Sequence, residues 1–127
     1  MSDYTIINLQ DVPDAAAKHG LTFGEVRFPT ELAGAERTGF AHQRIFPDAQ
    51  QSFGHRHGEA EEVYFVVSGS GRAKLDGEIR TLSTHDIVRV APAVTRSFAA
   101  GPDGMEILAF GARTGGDGEI VPGYWDD

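Results

Sequence analysis

The sequence predicts an all-β fold of many short strands, closed as a sandwich or barrel. Three observations carry this expectation. Sixteen glycines and six prolines, scattered without period, are more turn formers than a helical bundle of 127 residues would use. Between them stand short stretches rich in Val, Ile, Phe and Thr, the residues that suit a pleated, half-buried surface. Asp76-Gly77, set between two such stretches, is the pair that a two-residue type I′ hairpin demands.

Taken in order, residues 4–8 form a first strand candidate, and Asp11 is placed to cap a single helical turn over 12–19, with Pro13 near its start and Gly20 at its end. Strands follow at 24–28, 38–46 and 51–57, divided by Pro, Gly and Asp. The nearly continuous apolar run of 62–67 predicts a central strand buried on both faces. Gly69-Ser70-Gly71 predicts a turn, after which 72–75 pairs with 78–82 across Asp76-Gly77. Strands at 85–90, 95–99 and 105–110 complete the series, the last two divided by a tight turn at Gly101-Pro102-Asp103-Gly104. The tail reads as loop.

Length and the absence of an interior linker predict one domain over 1–127, with 1–20 as an N-terminal extension and 115–127 as a C-terminal tail docked on the barrel through Tyr124 and Trp125. A net charge of −8 argues against partners gripped through phosphate, so neither nucleic acid nor a membrane is expected. No apolar stretch reaches eighteen residues, and the first ten are not a basic region followed by an apolar one, so neither a span nor a signal peptide is expected. With no cysteine, a cytoplasmic setting is the default. Any metal site must then use His and carboxylate, ligands suited to Fe, Mn, Ni or Zn.

The residues that carry chemistry begin with His55 and His57. Two apart on a strand, they project to the same side and can share one ion. Glu62 stands at an odd offset from both, but Gly58-Glu59-Ala60 allows a turn that changes register and returns its carboxylate to the site. Two imidazoles and one carboxylate leave coordination positions open.

The stretch from His55 to Gly69 resembles the first motif of the cupin family: Gly, five residues, His-x-His, three or four residues, Glu, six residues, Gly. The chain meets it at His55, His57, Glu62 and Gly69, with Ala49 where the first Gly would stand. This spacing selects Glu62 over Glu61, which points the other way along the strand, and leaves Glu59 as a solvated loop acid. The resemblance implies a double-stranded β-helix jelly-roll barrel with a short N-terminal helix and a divalent metal held by His55, His57 and Glu62. The second motif, Gly, five residues, Pro-x-Gly, two residues, His, three residues, Asn, falls on 85–100 and is largely lost. His85, Ala91, Ala93, Arg96 and Ala100 stand at its signature positions.

Arg96 replaces the family's fourth ligand, and a guanidinium cannot donate a lone pair to a metal. Two roles stay open. Arg96 either grips an anionic group of a ligand in the barrel, or pairs with Glu62 and leaves the site without metal. Tyr64 shares parity with Glu62 and is a candidate hydrogen-bond donor to a ligand. On the strand before the motif His42 and Arg44 alternate with Gln43, and which set faces inward is open; His42 is a candidate for the site. Phe98, Met105, Ile107 and Ala109 read as core or pocket wall, and Lys18, Arg72, Lys74 and Arg80 as solvated charges.

The resemblance implies a protein that binds a small organic molecule, with an anionic one as the candidate, around a divalent metal, with oxygenase, isomerase or lyase chemistry. The alternative is a metal-free, non-catalytic binding or sensing module, and the sequence leaves open whether the chain is an enzyme. A homodimer formed through sheet edges or outer faces is expected.

Overall fold

The computed structural model of the chain describes residues 3–113 and 116–126. These form strands β1 (Gly24–Arg27), β2 (Thr38–Ile45), β3 (Phe53–His57), β4 (Glu62–Leu75), β5 (Glu78–Leu82), β6 (Ile87–Val90), β7 (Arg96–Ala112) and β8 (Gly118–Pro122), with short helices α1 (Ala15–Lys18) and α2 (Thr30–Ala33). Strands β4 and β7 are long antiparallel partners, and each is shared by two walls of a barrel. In one wall the first half of β4 lies between β6 and the second half of β7, with β2 and then β1 beyond. In the other, residues 71–75 of β4 lie between β5 and residues 96–100 of β7, with β3 and then β8 beyond. This is the jelly-roll, double-stranded β-helix arrangement, and the inner faces of both walls enclose a core of Ile45, Tyr64, Val66, Phe98, Met105 and Ile107.

The two turns expected at 69–71 and 101–104 are not chain reversals. Both strands run on through the corner where one wall passes into the other, and Gly69 pairs with Met105 while Gly71 pairs with Ala100, so Ser70 faces a four-residue bulge. Glycine is required here by crowding: a Cβ on Gly69 would strike the Gly104 carbonyl oxygen, and one on Gly71 would strike that of Ala99. A glycine and proline cluster reads as a turn whether the chain reverses or only bends, which is why the sequence misplaced it. The hairpin at Asp76-Gly77 has positive φ at both residues, 48° and 86°, as a type I′ turn requires.

Other departures have similarly local causes. Residues 4–8 join no sheet, and Tyr4 and Ile6 are exposed. Asp14, not Asp11, caps α1: its carboxylate accepts from Ala16 N and also from Val26 N, so a tertiary bond to β1 fixes where the helix begins. The second helix, α2, was not expected; Gly34, with φ of 72°, ends it. Strand β8 lies in the tail expected to be loop, because β3 supplies it with a ladder that its own acidic, glycine-containing sequence does not announce. Beyond β8, Trp125 Nε1 donates to Ser97 Oγ at 2.8 Å, and Lys74 Nζ donates to the Tyr124 carbonyl at 2.6 Å. Lys74 is therefore buried, with its ammonium over the Tyr124 ring, and is not the solvated charge the sequence suggested.

Candidate metal centre

Antiparallel pairing with β8 fixes the pleat of β3 so that His55 and His57 point into the barrel, their rings 5.3 Å apart and mutually perpendicular. The loop after His57 makes the register change that the sequence required. Its backbone N–H groups at Glu59 and Ala60 both donate to Asp117 Oδ2 at 3.0 Å, and the chain re-enters the barrel at Glu62. Glu61 faces outward and pairs with Arg89 at 2.9 Å.

The result is a tight group. Glu62 Oε1 lies 3.2 Å from His57 Nε2 and 3.5 Å from His55 Nε2, and the ligand atoms of the three residues all fall within 4.8 Å of one another. Tyr64 Oη donates to Glu62 Oε1 at 2.5 Å and stands 3.4 Å from His55 Nε2. Burial alone would raise the Glu62 carboxyl, but hydrogen bonds from His55 and Tyr64 and positive charge at the imidazoles outweigh it and hold the group at about 2. Burial first, then the neighbouring Glu62 charge, push the Tyr64 phenol well above its ordinary value, so it keeps its proton.

Asp117 was missed by the sequence reading, which left it in the tail. Its Oδ1 lies 3.0 Å from His57 Nδ1. The N–H of Glu59, then the His57 ring, then the N–H of Ala60 hold its carboxyl at about 2, so it is an acceptor only. His57 Nδ1 must therefore carry a proton, so it is Nε2 that has a lone pair to give whenever the ring binds as a ligand. That atom is buried and has no hydrogen-bond partner among the described residues. An acid that turns an imidazole so that its free nitrogen faces a second ligand is the usual outer support of a metal-bound histidine. The donor set thus fits a divalent ion. No local signal marks Asp117, since 60 residues separate it from His57.

Arg96 is fully buried on β7, opposite His55 in the ladder. Its Nη2 donates to the Ala91 carbonyl at 2.9 Å, and its Nη1 lies 3.5 Å from Glu62 Oε1. Nε and Nη1 have no hydrogen-bond partner among the described residues. The guanidinium stands beside Glu62 and is not among the residues that line the two cavities next to the triad.

His42 is not brought to the site. Ala41 and Gln43 face the barrel interior, and His42 points to the outside of the wall, where its Nε2 lies 2.7 Å from Glu106 Oε2 beside Arg44. The alternation of β2 decides this, and the residue facing inward in its place, Gln43, was not singled out. Tyr64 does line the cavity, as does Ala109, whereas Phe98, Met105 and Ile107 are core.

That cavity, of about 380 Å³, opens between the triad, β1 and α1, with Phe23, Val26, Phe28 and Phe53 on its walls. A second space of about 390 Å³ meets it at His57, Glu62 and Phe28.

No protein-family model and no curated protein sequence matches the chain. Solved structures do. A cupin protein of Bacteroides fragilis, BF4112, superposes with a TM-score of 0.73 over 91% of this chain and 89% of its own, at 21% identity. The polyketide cyclase RemF of Streptomyces resistomycificus gives 0.74 over 96% and 85%, at 17% identity. A sugar phosphate isomerase of the cupin superfamily from Silicibacter pomeroyi gives 0.70 over 92% of each chain, at 15% identity. The chain has the cupin fold.

Proposed function

We propose that the barrel binds a small organic molecule beside a divalent ion held by His55, His57 and Glu62. One observation carries the reading: three ligand atoms converge on the floor of a ligand-sized cavity, and one of them, His57 Nε2, is buried, unpartnered and aimed by Asp117. A divalent ion bound there would supply Lewis acidity and open coordination positions, the chemistry that oxygenases, isomerases and lyases share.

The chain's own residues do the rest. Asp117 keeps the proton on His57 Nδ1. Tyr64 holds Glu62 Oε1 with a proton it does not release, fixing the carboxylate in one rotamer. Fe, Mn, Ni and Zn all suit the donors. Titration of protein stripped by chelator with Co²⁺ tests the reading. About one ion per chain is expected to bind, and His57→Ala is expected to abolish binding; retention of binding in that variant would place the ion elsewhere.

A second reading is favoured by Arg96. Its buried guanidinium has Glu62 as counter-charge at 3.5 Å, so in a metal-free protein the two charges would offset each other. The barrel would then bind or sense its ligand without catalysis. In that case Co²⁺ fails to bind and Glu62→Gln lowers stability more than His57→Ala does.

The proposal extends to a homodimer in a cytoplasmic setting. The extended segment 4–8 carries Tyr4 at 77% and Ile6 at 87% exposure with no strand partner, and Ile87 on edge strand β6 is 70% exposed. Pairing of such edges between two copies would cover them.

A further inference from the structure

The walls of the cavity say more about the ligand than the triad does. No Lys or Arg among the described residues lines it, and its charged members other than histidine are Glu62 and Glu119. Arg96, the nearest buried cation, is turned away toward Ala91 and Glu62. With a net charge of −8 on the chain as well, the side chains offer an anion entering this cavity no cation, so an ion at the triad would be its one counter-charge. The opposite chemistry is well served. Phe23 and Phe53 stand edge to face, 6.4 Å apart, and Phe28 and Tyr64 add further ring surface on the same cavity.

The identity of one polar group that faces the ligand space can be worked out. The backbone N–H of Phe98 donates to Gln51 Oε1 at 3.1 Å, which fixes that atom as the amide oxygen. Gln51 Nε2 is then the donor to Gln43, 2.6 Å away, so the atom it meets must be Gln43 Oε1. The Gln43 NH₂ is therefore the free end of the pair. Gln43 is only 7% exposed, its NH₂ has no partner among the described residues, and the side chain lines the cavity. A donor that opens on the cavity can meet an acceptor on whatever fills the space.

We infer that the molecule taken up beside His55, His57 and Glu62 is ring-bearing and uncharged where it lies between Phe23, Phe28 and Phe53, with a hydroxyl or carbonyl oxygen that accepts from the Gln43 amide. The inference rests on the reading of the barrel as a small-molecule site and names the substrate class of that site.

The test is calorimetric titration of the full chain, stripped of metal by chelator, with three probes: 2-naphthol, 2-naphthyl phosphate and 1-decanol. Binding of 2-naphthol is expected, with the phosphate ester weaker by about a hundredfold or more because its charge is desolvated without a partner. Decanol is expected to bind more weakly than the naphthol. Val26→Trp, which fills the cavity, is expected to abolish naphthol binding while Co²⁺ still binds. Gln43→Leu is expected to weaken it about tenfold, the loss of one buried hydrogen bond. A phosphate ester that binds as tightly as the naphthol overturns the inference and leaves the barrel-site reading standing, as does decanol binding more tightly. Absence of binding by every probe overturns the inference too. Naphthol binding to a chain that takes up no Co²⁺ supports the inference and contradicts the metal reading, so the two failures are distinct.

Discussion

Replacing Asp117 by asparagine separates the orientation of a ligand from the presence of the ligand. In the wild type, Oδ2 accepts from the N–H groups of Glu59 and Ala60, and Oδ1 faces His57 Nδ1. An asparagine has only one oxygen. Two backbone donors claim it, so the amide NH₂ must face His57 Nδ1. The ring can satisfy that contact only by accepting at Nδ1, which moves its proton to Nε2. The nitrogen 3.2 Å from Glu62 Oε1 then has no lone pair to give. The loop keeps both of its bonds, so the melting temperature should move little, while Co²⁺ affinity should fall about 10- to 100-fold, the usual cost of losing such an outer partner. Competition of bound Co²⁺ against a chelator measures the affinity, and thermal unfolding monitors the fold. Unchanged affinity in a folded Asp117→Asn protein would refute the argument that Asp117 sets the His57 tautomer.

Three further outcomes follow from the same geometry. Arg96→Met removes a buried cation 3.5 Å from Glu62; the apo protein should lose about 3 kcal/mol, as when one partner of a buried pair is deleted. The same variant should bind Co²⁺ at least about tenfold more tightly, because charge repulsion is relieved; urea unfolding with and without the ion shows both effects, and weaker Co²⁺ binding would mean that Arg96 supports the site. Glu106 is held below the usual carboxylate range, chiefly by its hydrogen bond from His42 and then by Arg44. A depressed folded pKa gives stability that is present above the unfolded value and lost as pH falls through the folded one, so Glu106→Gln should flatten the decline in stability on the acid side of the ordinary carboxylate range. An unaltered acid limb would count against the pair. Gly71→Ala places a methyl against the Ala99 carbonyl at the corner between the walls and should cost about 1–3 kcal/mol in chemical denaturation; a neutral effect would mean that the corner yields easily.

What the sequence disclosed and what it withheld divide along distance. His55, His57 and Glu62 are legible because period-two alternation and one loop relate them within a few residues, and the Asp76-Gly77 hairpin is legible because two positive φ angles constrain two residues. The face of β2 is not legible, since Ala41-His42-Gln43-Arg44 offers a polar residue on each side. Only the partner strands turn His42 toward Glu106 and Gln43 into the barrel. Asp117 and β8 are supplied to the site by pairing with β3 across about half the chain, and composition carries no trace of that pairing. The corner at Gly69 and Gly71 was seen as punctuation but misread as reversal, because a bend between two walls and a hairpin draw on the same residues. Arg96 stood out as the residue replacing an expected ligand. Its burial against Glu62, and its absence from the cavity wall, needed the fold.

The proposal stands most directly on the metal content of the native protein. Purified without chelator and without nickel affinity, then analysed by inductively coupled plasma mass spectrometry, the chain should carry about one divalent ion, and His57→Ala should carry almost none. A wild-type protein that is folded, free of metal, and unable to take up Fe, Mn, Ni, Zn or Co when these are offered would contradict it, leaving Glu62 to Arg96.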